Sequence, residues 1–145
     1  MNLRELPTRV ATGAFILHSG IDKWRGDEAT AAAIHGMASG TYPFLKSIPP
    51  ERFLRMLAAG EILTGTTLLA PFVPTALAGA ALTAFSGALI GLYLRTPGMR
   101  KPGSIWPTQQ GIAVSKDIWM VGIGLGLIFD GITDRADDAR GEIED

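Results

Sequence analysis

Apolar and polar positions in this chain are segregated into blocks rather than alternating. From Ile62 to Leu94 there is no Asp, Glu, Lys or Arg, and the run is interrupted only by the prolines of "APFVPT" at 71 and 74. A helix needs roughly 20 apolar residues to cross a hydrocarbon core, so the prolines separate the end of one span from the whole of another. Two shorter charge-free centres, Val10–Ile21 and Ile118–Phe129, complete the pattern. The blocks predict four helices, at about 7–24, 53–70, 75–94 and 115–133. The expected fold class is all-α, an integral membrane antiparallel four-helix bundle. A cleaved signal peptide is the rival reading of the first segment, given Arg4 and Arg9 ahead of it, but "HSGIDKW" offers no small-x-small cleavage site.

The connections differ in character. Helices two and three are joined by the tight proline turn alone. The alanine-rich part of the first connection, Glu28 to Ser39, predicts a short interfacial or re-entrant helix. Between helices three and four, "RTPGMRKPGSIWPTQQGIAV" is too rich in Pro and Gly to be regular. After Thr133 the chain becomes "DRADDARGEIED", an acidic C-terminal tail over 134–145, expected to be a solvated end or a docking segment for a partner.

Charge distribution adds an orientation. Nine of the Lys and Arg residues lie toward the two long loops and four toward the termini. By the positive-inside rule this places the loops in the cytoplasm and the termini outside, in a multi-pass protein of the cell membrane. All three Trp (24, 106, 119) and both Tyr (42, 93) also fall on the loop side. The formal net charge is −1, with no basic cluster to meet nucleic acid. Cysteine is absent, which removes disulfides, thiolate catalysis and Cys-ligated metals.

Helices in lipid associate by close approach through small residues. Gly79, Thr83, Gly87 and Gly91 recur every fourth residue in the third helix, and Gly122 and Gly126 share that spacing in the fourth. These predict packing faces within the bundle, or a face toward a second copy or another membrane subunit.

An ionisable group in hydrocarbon costs about 2.5–3.5 kcal/mol on insertion scales, so each one is a site hypothesis. His18, Glu61 and Asp130 stand out. At 1.5 Å rise per residue, His18 lies roughly 9 Å below the loop-side end of its helix and Glu61 roughly 12 Å below its own. Matching depths predict a His18–Glu61 layer, with Asp22 one turn from His18 and Ser86 at a similar level. Asp130 belongs near the opposite face, snorkelling or paired with Arg135. A His–Glu pair could be a polar clamp that sets helix register, a pocket for a quinone or lipid head group, or a proton relay. No metal site is expected, since the other histidine, His35, lies in the loop helix.

The same residues resemble the DoxX-like family of small membrane proteins. The likeness rests on "HSGIDKW" closing the first helix, where the family often ends in a His-Gly-x-x-Lys-like pattern. It continues through "LKSIPPERF", "AAGEILTGTTLLAPF" and "SKDIWMVGIGLGLIF", from Arg9 to Phe129. Here Ser19 stands between the His and the Gly, and the long Pro/Gly loop and acidic tail exceed the usual short members. The resemblance implies a four-helix integral membrane protein, some relatives being subunits of a thiosulfate:quinone oxidoreductase and others anchors in oxidoreductase assemblies. It touches His18, Gly20, Lys23, Glu61 and Gly65 and assigns no catalytic role to any. Without Cys, the chain cannot itself run persulfide chemistry. The function expected is a non-catalytic membrane subunit or scaffold of a respiratory, oxidoreductase or lipid-transport complex. Its alternative is a quinone- or lipid-binding component using the His18–Glu61 layer.

Overall fold

The computed structural model of the protein describes residues 3–144, and beyond Asp134 only the side chain of Ala136 is included. The described residues are all-helical. Helix α1 spans Leu6–Trp24, α2 Glu28–Thr41, α3 Pro50–Leu69, α4 Thr75–Arg95, α5 Ile112–Ser115 and α6 Asp117–Glu144, with a 3-10 turn at Pro43–Ser47. Each apolar block is thus one long helix, and the alanine-rich connection is α2.

Local chemistry sets the ends. Proline stands in the first turn of α1 and α3, where the missing N–H has no partner to lose. Asp27 caps α2 by accepting a hydrogen bond from the Thr30 amide at 2.8 Å. That bond holds the Asp27 carboxyl below its ordinary pKa. The turn from Pro71 to Pro74 reverses the chain between α3 and α4. The Pro/Gly loop is more ordered than its composition suggests. Arg100 and Pro107 form an antiparallel bridge, Lys101 donates its amide to the Trp106 carbonyl, and Gly98 and Gly103 take left-handed φ. The backbone of the acidic tail continues α6 as helix to Glu144.

Helices α1 and α3 pack along each other, as do α4 and α6, and the two pairs meet chiefly through α3 and α4. One core joins them, built from Ile16, Leu68, Ala78, Leu82 and Leu127. Within each pair the backbones approach too closely for side chains. A Cβ at Gly65 would lie 2.7 Å from the Leu17 amide nitrogen, and one at Gly79 2.5 Å from the Gly124 carbonyl oxygen.

The packing glycines therefore need correction. Gly79 and Thr83 do face α6, but they meet Gly124, while Gly131 meets Ala76. Gly122 and Gly126 lie one or two positions off that face and have open space, as does Gly87. Gly91 faces the Tyr42 hydroxyl of the α2 end instead. The α1–α3 contact uses Gly13, Gly20 and Gly65, which lie outside the spacing-of-four stripes of α4 and α6.

Helix α4 and the stretch Ile112–Asp134 are long and apolar enough to cross a membrane. Only 11% of the apolar window in the latter is buried inside the protein. Large apolar side chains also point outward from α1 and α3, among them Val10, Met56 and Leu63.

Candidate functional site

The buried face of α1 is a stripe of Arg9, Gly13, Ile16 and Gly20. Its next position in helical spacing is Lys23. Opposite it, α3 buries Leu54, Ala58, Glu61, Gly65 and Leu68. Because Gly20 lets the helices touch at the Glu61 Cβ, Lys23, three residues on, reaches back across the seam. Its Nζ lies 3.0 Å from Oε1 and 3.1 Å from Oε2 of Glu61. It also donates to the Ser19 hydroxyl at 2.7 Å. Glu61 is 6% exposed, so this pair carries the cost of a buried carboxylate.

His18 does not join it. Two residues from Gly20, it is turned about 200° around the helix, and its side chain is 76% exposed. It pairs with Asp22 at 3.2 Å, also on the outer face. The His18–Glu61 layer is corrected to a Lys23–Glu61 layer: the depths match, but the azimuths do not. Ser86 is fully buried and donates to the Leu82 carbonyl of its own helix at 2.6 Å, a bond that does not involve Glu61. Asp130 is half-buried at the opposite end, in a shallow recess with Arg4, Glu5 and Asp134. The side chain of its expected partner, Arg135, lies outside the described residues. His35 faces the Leu45 carbonyl at 2.9 Å and the edge of Phe53, tying α2 to the following turn.

The Lys23–Glu61 pair forms part of the wall of a cavity of about 420 Å³ between the two helix pairs, toward the loop side. Phe15, Phe53, Phe85, Leu57, Leu89 and Met120 supply apolar walls. Ser19 and the first residue of α6, Asp117, are further polar members. In the sequence, Asp117 stands at the edge of an apolar block, where a charge looks like a solvated helix end. Its presence here follows from α5 and the start of α6 closing the cavity. No group of His, Asp and Glu spaced to hold a metal occurs among the described residues.

A second buried ionic cluster occupies the far end of α1. Arg9 is fully buried. Its Nε donates to the Leu68 carbonyl at 2.8 Å, and its terminal nitrogens donate to the carbonyls of Thr67, Ala70 and Val73. These include the last carbonyls of α3, which have no intrahelical partner. Glu5 balances the guanidinium at 3.5 Å and accepts from the Thr75 hydroxyl. The spacing of Glu5 and Arg9, four apart, was the available signal.

No family model, curated protein or solved structure matches this chain.

Proposed function

We propose that the chain is a four-span integral membrane protein of the DoxX-like kind whose loop-side cavity takes the polar end of an amphipathic ligand. The observation that carries this is the placement of a buried Lys23–Glu61 pair in the wall of an otherwise largely apolar cavity of about 420 Å³. Ligand pockets commonly have this make-up, with apolar walls and a few convergent polar groups.

The lipid surroundings rest on what the helices leave outside. Leu63 on α3, Leu77 on α4 and Phe129 on α6 are each more than half exposed, a pattern that water would penalise and acyl chains would not. The ionic groups fit the same setting. Arg9 and Lys23 are 14 residues apart on one helix, roughly 21 Å at 1.5 Å per residue, less than the roughly 30 Å of a hydrocarbon core. Both are satisfied by protein groups. Exposed Trp24, Trp106 and Trp119 at the loop end suit the interface, with the loops cytoplasmic.

Two measurements test this reading. The protein should resist alkaline carbonate extraction and require detergent. Native mass spectrometry in mild detergent should show a retained amphipathic small molecule that is lost when Leu57→Trp and Met120→Trp fill the cavity. Release without detergent sinks the membrane assignment, and equal retention by the filled variant sinks the cavity assignment.

A second reading, a non-catalytic subunit that scaffolds a larger membrane complex, is favoured by the open space beside Gly87, Gly122 and Gly126. Under it, Gly126→Leu releases a co-purifying subunit while leaving the cavity ligand in place.

A further inference from the structure

The cavity's charges do not balance among the described residues. Its ionisable members are Lys23, Glu61 and Asp117. The Lys23 ammonium is committed to both Glu61 oxygens and to the Ser19 hydroxyl. Asp117 has no hydrogen-bond or ion-pair partner among the described residues. With Lys23 paired to Glu61, the Asp117 carboxylate faces the cavity without an ion-pair partner among the described residues.

The rest of the lining suits a cation with an apolar body. Phe15, Phe53 and Phe85 bring three aromatic rings to the same space. Ring faces attract cations electrostatically, the more so where water is excluded. A neutral quinone could use the rings but would leave Asp117 uncompensated. An anionic head group would meet a net negative wall.

We infer that the loop-side cavity binds a hydrophobic amine, an aromatic or aliphatic body carrying one protonated nitrogen, with Asp117 as its counter-ion. This deepens the proposed cavity function and rests on it. The Lys23–Glu61 pair then serves as a fixed, self-neutralised wall, and Asp117 supplies the discrimination between charged and neutral ligands.

The test uses the full chain in lipid nanodiscs, with empty nanodiscs as the blank. Two probes of nearly equal size are titrated by calorimetry at neutral pH: 4-phenylbutylamine, which is cationic, and 4-phenylbutanol, which is neutral. The wild type should bind the amine about tenfold more tightly or better, corresponding to about 1.4 kcal/mol. Asp117→Asn should bring the two affinities together while leaving that of the alcohol unchanged, and Asp117→Glu should restore the preference. Equal affinities in the wild type overturn the amine assignment but leave the cavity function standing. An amine preference that survives in Asp117→Asn removes Asp117 from its role and overturns the inference. If both probes bind the wild type no better than the Leu57→Trp, Met120→Trp variant, the cavity function falls as well. Should Asp117→Asn fail to fold, Asp117→Ser takes its place, and the wild-type comparison decides the ligand's charge in any case.

Discussion

The ammonium of Lys23 lies almost equidistant from the two carboxylate oxygens of Glu61, at 3.0 and 3.1 Å, across the seam between α1 and α3. The two residues are 38 apart in the chain, and Gly20 on the same face of α1 brings the helices together at the Glu61 Cβ. Removing one partner leaves the other charged and buried. Lys23→Met should destabilise the folded protein by on the order of 3 kcal/mol. The double variant Lys23→Met, Glu61→Gln should recover most of that loss, because no unpaired charge remains in the seam between α1 and α3. Reversible denaturation of all three proteins in one detergent measures the difference, and a double variant as unstable as the single one contradicts the account.

Arg9 joins the end of α3 to the turn that follows it, through carbonyls of Thr67, Leu68, Ala70 and Val73. Lysine keeps the charge but presents a single point instead of a planar fork. Arg9→Lys should therefore lose about 2 kcal/mol, the order of one or two charge-assisted hydrogen bonds. Hydrogen exchange should quicken at Ala70 and at Val73. An Arg9→Lys protein as stable as the wild type would show that the carbonyls find other donors.

The glycines divide into two classes by what lies opposite them. Gly65→Ala puts a methyl group 2.7 Å from the Leu17 nitrogen, so α1 and α3 must separate, at about 1–3 kcal/mol. Gly126→Ala meets open space and should be neutral or stabilising by up to about 1 kcal/mol, since alanine is the better helix former. Thermal unfolding of the two variants side by side reads the contrast, which reverses if Gly126 is the buried one.

His18 makes its ion pair on the outer face of α1. His18→Ala should change stability by no more than about 0.5 kcal/mol, as outward-facing substitutions usually do. It should leave the affinity of any cavity ligand unaltered, whereas a His18–Glu61 site would lose it. Ligand titration of the variant is the check.

The lowered pKa of Asp27 comes chiefly from the hydrogen bond its carboxylate accepts from the Thr30 backbone amide. Folding thus favours the ionised form. The stabilisation is present above the unfolded-state pKa, about 3.9, and is lost as pH falls through the lower folded value. Circular dichroism of α2 signals should show fraying on acidification in the wild type. Asp27→Ala should lack that acid-dependent component.

Helix positions and the depth of every charge could be read along the chain, because both are local. Proline and Asp27 mark starts, charge-free stretches mark bodies, and a constant rise converts residue number into height. From that, Glu61 reads as an acid roughly 12 Å below the loop-side end of its helix, and Asp130 as one nearer the opposite face. What the chain alone did not settle was facing. α4 and the apolar stretch of α6 up to Phe129 carry few polar side chains on any face, so no hydrophobic stripe distinguishes Gly124 from Gly122 or Gly126. In α1 the stripe of Arg9, Gly13, Ile16, Gly20 and Lys23 is present in the spacing, but with two charged and two glycine members it carries no hydrophobic signal of facing. Only the packed structure supplies the carbonyls that hold Arg9 and the carboxylate that holds Lys23. Which way a side chain points depends on the partner surface, and that surface lies some forty to sixty residues away in sequence, as the Lys23–Glu61 and Arg9–Leu68 bonds, separated by 38 and 59 positions, attest.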